Sequence, residues 1–395
     1  MIKLLVTSRD RGNAIINVVI FRAIKCVEGN KGMKEHKNGL VDDQENVPFM
    51  EKFMVPQIYE IYCFGGSSVK NEEYGIRRML QYFSDFFTEE QLRKNMEQYN
   101  LQNMFDVVKE YFGKEFGYDA CAITLSNRYQ KTINSYIYDD KDNPVFIHID
   151  ELFESTVMAF FLVMFKWSKD FSELETYGEC FKYMLFLLNE VCIFGEMQGQ
   201  DANDALLQLV SGDVQILQLA EDCYWTVVVF SLAHEVAHAY LESIGKTYSL
   251  QHPEKEEYDA DMIAYHIVLK IIMDRDEKDR ILEEYTYLAP MMYMNFFDLY
   301  YYTDRVLYKS QFFDPQHPRP IDRRDRLFTI ANKEEYDFNT VDGNHLYGGF
   351  LDVYKEYKEQ LLLKKESGKL ERIIHTERRK QMRRSWNDET GSFGV

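Results

Sequence analysis

The feature that most constrains the fold is a largely apolar run over residues 223–241, in which Glu235 is the only formally charged side chain. Such a run is typical of a buried helix. We predict that this helix begins near Asp222 and ends at Gly245, because glycine readily adopts the left-handed conformation that closes a helix. A buried ionisable group costs free energy unless it has partners. The fold must therefore supply partners for the polar residues of this helix.

These polar residues form the sequence HEVAH over residues 234–238, an HExxH motif. Residues four apart lie one turn apart on the same helix face, so the imidazoles of His234 and His238 can bind one metal ion. Glu235 lies about 100° around the helix, where it reaches a water on the open side of the metal. We predict that Glu235 is a general base. The alternative is a pair of buried histidines with structural partners only.

A second helix, opened by Pro253, is predicted to supply carboxylates. Glu257 and Asp261 share one of its faces at the i, i+4 spacing. Glu257 can complete a His, His, Glu set, and Asp261 can orient a ligand imidazole through the second ring nitrogen. For Glu256 and Asp259 we prefer the interpretation of an acidic, solvated helix start.

HExxH followed by an E-x-x-A-D run at residues 257–261 resembles the gluzincin metallopeptidases, and most of all the HtpX and CAAX-prenyl-protease type. Residues 317–327 are similar to the HP-x4-R-x3-L segment of that type. On this resemblance His317 either faces the site or only opens a helix before Pro318. The resemblance implies zinc ligation by His234, His238 and Glu257, with Glu235 as base, Asp261 as an outer carboxylate and Arg323 as a support near the third ligand.

Members of that type carry transmembrane helices. Here the longest charge-free stretch, Tyr285–Phe297, is shorter than the roughly 20 apolar residues that a membrane span needs. The resemblance therefore implies a soluble relative without a membrane partner, and we expect a cytoplasmic protein. The layout and the HExxH helix are also similar, more faintly, to the phage-exclusion peptidases of the Lit type, which implies a protein substrate and a role in stress or phage defence.

The remaining pattern predicts an α+β fold that is mostly helical. Three runs, Cys121–Leu125, Ser135–Tyr138 and Val145–Ile149, predict a small antiparallel sheet, and helical spacing continues from there to residue 335. The predicted regions are an N-terminal accessory region (1–115) with a hairpin, a linker and helices, a zincin-like metallopeptidase domain (116–345) and a charged C-terminal helical tail (346–395).

Composition restricts the partners. A formal charge of −19 disfavours nucleic-acid binding, which draws its affinity from Lys and Arg neutralising phosphates. The basic run Arg378–Arg384 is balanced by nearby acidic residues, so a solvated helix end or a docking tail is preferred. The six cysteines include no CxxC pair, which argues against a cysteine zinc site.

We therefore predict a zinc-dependent peptidase that cleaves a protein or peptide substrate with a metal-activated water. His317 and the cluster Tyr300–Tyr302 are the candidates for stabilising the oxyanion. The alternative is a regulator or binding module on a zincin scaffold with little or no turnover. The sequence leaves the substrate and the oligomeric state open.

Overall fold

The computed structural model describes residues 101–374, together with residues 80, 81 and 84–90. The gaps within the main range are 129–132, 134, 139–144, 194–208, 247, 249–253, 275–281, 310–316 and 333–340. The predicted N-terminal hairpin and linker, Pro253 and the basic run Arg378–Arg384 lie outside the described residues.

Helices make up most of the described chain, and a small sheet accompanies them, which confirms the predicted α+β class. A π-helical segment, Leu187–Ile193, and a 3-10 segment, Glu284–Leu288, join longer helices. The helices are α1 (Leu101–Phe116), α2 (Glu151–Lys169), α3 (Leu174–Phe186), α4 (Val214–Ser243), α5 (Glu254–Met273), α6 (Ala289–Tyr308), α7 (Pro320–Ala331) and α8 (Val341–Glu366).

The sheet contains β1 (Thr124–Arg128), β2 (Ser135–Tyr138) and β3 (Phe146–Asp150) in the order β1-β3-β2. β3 pairs antiparallel with β2 but parallel with β1, so the sheet is mixed and the predicted antiparallel pairing is corrected for β1. Ser135–Tyr138 and Val145–Ile149 were predicted to within one residue, whereas Cys121–Leu125 shares only Thr124 and Leu125 with β1. The presence of three strands was therefore predictable. Their order was not, because β2 lies between β1 and β3 in sequence but at the far side of β3 in space.

Helix α4 runs through the core and packs against α1, α2 and α5. The Asp213 side chain caps its first turn by accepting a hydrogen bond of 3.3 Å from the backbone N–H of Ile216. Gly245 follows the last turn with a φ of 70°, which confirms the predicted end. The predicted start near Asp222 is wrong, because the cap is Asp213 and the helix begins at Val214.

By length and composition α4 could also cross a membrane. In its most apolar window, 83% of the residues are buried inside the protein. The core helix of a soluble protein passes the same test, so these properties alone do not make α4 a membrane span.

Helix α8 packs against α2 and α6. Its residues Phe350, Val353 and Tyr357 are fully buried in the same core as the rest of the helical body. This helix begins at Val341 and continues past the predicted boundary at residue 346 without a break. The division of the chain into three regions stays a prediction.

The most extensive helix–helix interface is that of α5 with α4. Ala260 and Ala264, one turn apart on α5, are fully buried. Small side chains let helix backbones approach closely, and this interface carries the predicted metal ligands of both helices. The spacing of the ligands therefore depends on the packing of α5 against α4.

We predict that Ala264→Leu lowers the free energy of unfolding by about 1–3 kcal/mol, because the added methyl groups overpack a filled core. Met262→Leu is the control, since Met262 lies on the same helix but is 43% exposed. Urea denaturation followed by circular dichroism measures both variants. Equal stability of the two variants would contradict the close packing of α5.

Candidate metal centre

The end of α4 and the start of α5 bring three metal-ligating groups together. The Nε2 atoms of His234 and His238 lie 3.1 Å apart. The Glu257 carboxylate approaches both, with Oε2 3.5 Å from His234 Nε2 and Oε1 3.6 Å from His238 Nε2. One ligand atom from each residue lies within 4.8 Å of the others, so the three groups could hold one metal ion.

In each histidine the second ring nitrogen, Nδ1, lies close to a carboxylate. His238 Nδ1 lies 3.0 Å from Glu256 Oε1. His234 Nδ1 lies 3.1 Å from Asp261 Oδ1. A carboxylate at Nδ1 favours the tautomer that carries its proton there, which leaves the Nε2 lone pair for a metal.

With those tautomers neither Nε2 carries a proton, and three electron-pair donors would point at one another. Such an arrangement is repulsive by itself, and a cation between the donors relieves the repulsion. Two imidazoles and one carboxylate are a donor set that zinc accepts, with room for a further ligand. The chemistry of the residues present therefore fits the predicted zinc site.

The charges around His234 favour its protonated form. Burial alone lowers the pKa of His234, but Asp261 and Glu257 outweigh burial and raise that pKa to about 10. Burial also opposes the charged form of Glu257, yet its contacts with His234, His317 and Arg323 hold the pKa of Glu257 far below its usual range. The site thus attracts positive charge, and a proton competes with a metal ion for the same nitrogen.

Arg323, on α7, contacts two carboxylates of this site. Its Nε and Nη2 donate to the two oxygens of Asp261 at 2.7 and 2.6 Å, and its Nη1 lies 3.6 Å from Glu257 Oε2. Burial raises the pKa of Asp261, but the charge and hydrogen bonds of Arg323 outweigh burial and lower it. Arg323 therefore lies beside Glu257, the predicted third ligand.

Glu235 lies next to the cluster but outside it. The carboxylate is 6% exposed, and its Oε1 accepts a hydrogen bond of 2.8 Å from the hydroxyl of Ser135 on β2. Sequence reasoning missed Ser135, because this contact joins residues 100 positions apart and depends on how the sheet docks on α4. No local sequence pattern indicates it.

Glu256 is the second residue that sequence reasoning missed. Its side chain is 44% exposed, as a solvated helix start predicts, but its carboxylate also contacts His238. The sequence signal for Glu256 was its position directly before Glu257, the predicted third ligand, in the acidic first turn of α5. The Asp259 carboxylate contacts other groups: it pairs with Lys246 Nζ at 2.6 Å and accepts a hydrogen bond from the Tyr248 hydroxyl at 2.9 Å.

A cavity of about 1030 Å³ opens over these groups. His317 lines it, 55% exposed, with Nδ1 3.4 Å from Glu257 Oε1, so this residue faces the site. Of the cluster Tyr300–Tyr302, Tyr301 alone is among the described residues that line the cavity. Tyr293 lines it as well and is 6% exposed, and the sequence analysis did not single it out.

Fold and site together define an α+β protein with a candidate metal centre in a cavity. The sequence matches the peptidase U49 family over residues 128–341, more than half of the chain, and the protein therefore belongs to the peptidase U49 family. This family is Lit-like, in agreement with the resemblance to phage-exclusion peptidases. The matched range includes every residue of the site. Searches of curated proteins and of solved structures found no match.

We predict that Arg323→Ala lowers the free energy of unfolding by about 3–5 kcal/mol, because it leaves the carboxylate of Asp261 buried without its counter-charge. Arg319→Ala is the matched control. Arg319 makes the same two-bond contact with Asp322, but its side chain is 67% exposed, so its loss costs less than about 1 kcal/mol. Similar losses in the two denaturation curves would contradict the central role of the buried pair.

Proposed function

We propose that this protein is a zinc-dependent peptidase of the gluzincin type. In this proposal His234, His238 and Glu257 hold the metal, and Glu235 is the general base. The observation that carries it is the approach of the three donor groups to within 4.8 Å of one another. Membership of a peptidase family and the carboxylates behind both imidazoles support it.

A bound zinc ion supplies Lewis acidity and makes water nucleophilic near neutral pH. Glu235 lies beside the ligands without being one of them, so its carboxylate is free to take a proton from the attacking water and to return it to the leaving nitrogen. His317 and Tyr301 line the cavity and are the candidates for donating a hydrogen bond to the carbonyl oxygen as negative charge develops there.

The presence of Glu235 beside the three donor groups argues for turnover rather than for binding alone. A module that only holds a partner needs the metal ligands or the cavity, but it has no use for a carboxylate placed beside them. Glu235 is present together with all three ligands. We propose a role in stress or phage defence, in line with the Lit-like family, and a cytoplasmic protein as the substrate.

We predict that Glu235→Gln retains one zinc ion per chain and loses cleavage by a factor of at least about 10². The reason is that glutamine preserves the shape of a side chain that is not a ligand but cannot accept the proton. Elemental analysis measures the metal, and a proteome-wide comparison of new N-termini after induction of wild type or variant measures cleavage. Full proteolysis by the variant would refute the assigned base.

His238→Ala is the complementary control for the ligand set. Removal of one imidazole leaves two donors, too few for a stable zinc site, so this variant is expected to purify without the metal. Zinc content equal to that of wild type would refute the ligand assignment.

We predict that Glu256→Ala weakens zinc binding about 10- to 100-fold, because His238 loses the carboxylate that fixes its tautomer and orientation. Asp259→Ala is the matched control, since it removes a carboxylate from the same helix that contacts Lys246 and Tyr248 instead. Competition with a fluorescent zinc chelator measures both affinities. An equal effect of the two substitutions would point to net charge rather than to the contact with His238.

A further inference from the structure

The hydrogen bond between Ser135 and Glu235 lies in surroundings that make it strong. The serine hydroxyl donates to Glu235 Oε1 at 2.8 Å, Glu235 is 6% exposed, and Ser135 is half-buried. A hydrogen bond to an ionised carboxylate is roughly twice as strong as one between neutral groups, and limited contact with water strengthens it further.

Strand β2 fixes the position of the serine. Ser135 is the first residue of β2 and pairs with Ile149 of β3, which is fully buried. Ile133, two residues earlier, is also buried, and β2 packs against α4. The backbone that carries the hydroxyl is therefore restrained by both the sheet and the helix.

The contact restricts the orientation of the Glu235 carboxylate. A carboxylate has two oxygens, and the bond to Ser135 engages Oε1. Oε2 is then the oxygen that is left to exchange a proton with water in the cavity. Proton transfer depends steeply on such placement, and a misplaced group loses rate without any change in its chemical identity.

We infer that Ser135 is a positioning residue, which orients Glu235 for proton transfer. The inference rests on the proposed function, because it assigns Glu235 the role of base. Ser135 itself does not have to touch the metal or the substrate. It acts through the carboxylate that it holds.

The test compares Ser135→Ala with wild type in the zinc-loaded, full-length protein. With a peptide selected from a library for cleavage by wild type, we expect kcat to fall about tenfold, the lower end of what a hydrogen bond to a charged group contributes, and KM to stay within about twofold. Zinc content should not change. Ser135→Thr keeps the hydroxyl and should restore kcat to within about twofold of wild type.

Ser126→Ala is the matched control. Ser126 lies on β1 of the same sheet, its hydroxyl is 3.2 Å from His148 Nδ1, and it is not among the residues lining the cavity. The same loss of a hydroxyl from the sheet should leave kcat unchanged, because no contact with Glu235 is removed.

A second measurement does not depend on turnover. Acetohydroxamic acid binds zinc and can hydrogen-bond to a carboxylate beside the metal, so its affinity reports the orientation of Glu235. Calorimetry on the zinc-loaded proteins should show affinity weakened about tenfold in Ser135→Ala and unchanged in Ser126→Ala.

Unchanged kcat and hydroxamate affinity in Ser135→Ala would overturn the inference. An equal loss in Ser126→Ala would also overturn it, because the effect would then belong to the sheet as a whole. The proposed function fails separately, if the wild-type protein does not bind zinc or if Glu235→Gln still cleaves. If wild type cleaves no library peptide, the hydroxamate measurement alone decides the role of Ser135.

Discussion

The arrangement of the site depends on the carboxylate of Asp261. This group is 2% exposed, accepts two hydrogen bonds from Arg323 of α7 and lies 3.1 Å from His234 Nδ1 of α4. One buried side chain on α5 thus connects three helices beside the proposed metal ligands. Because an unpartnered carboxylate is costly in the protein interior, the three helices are stabilised in the arrangement that satisfies it.

The same side chains determine the electrostatics of the site. Among the residues that the structure describes, the guanidinium of Arg323 contacts the acidic groups next to the histidine pair. Asp261 and Glu257 outweigh burial and raise the pKa of His234, and carboxylates gathered around two imidazoles form an environment that suits a cation. The carboxylates are Glu235, Glu256, Glu257 and Asp261.

The parts of this site that could be predicted are those that helix geometry determines locally. Four-residue spacing places His234 beside His238 and Glu257 on one face with Asp261, and Gly245 marks the end of α4. Contacts between distant segments could not be predicted in the same way. The order of the strands decides both the parallel pairing of β1 with β3 and the position of Ser135 beside α4.

The burial of this site is itself an argument for chemistry. Within α4, the residues from Cys223 to Ala237 are all buried, and apolar side chains in place of His234 and Glu235 would fill a core at lower cost. Their partners come instead from β2 and α5, and α7 adds the guanidinium that balances Asp261. Ionisable groups that include buried members, have charged or hydrogen-bonding neighbours and line one cavity are typical of a functional site, whereas packing alone requires none of them.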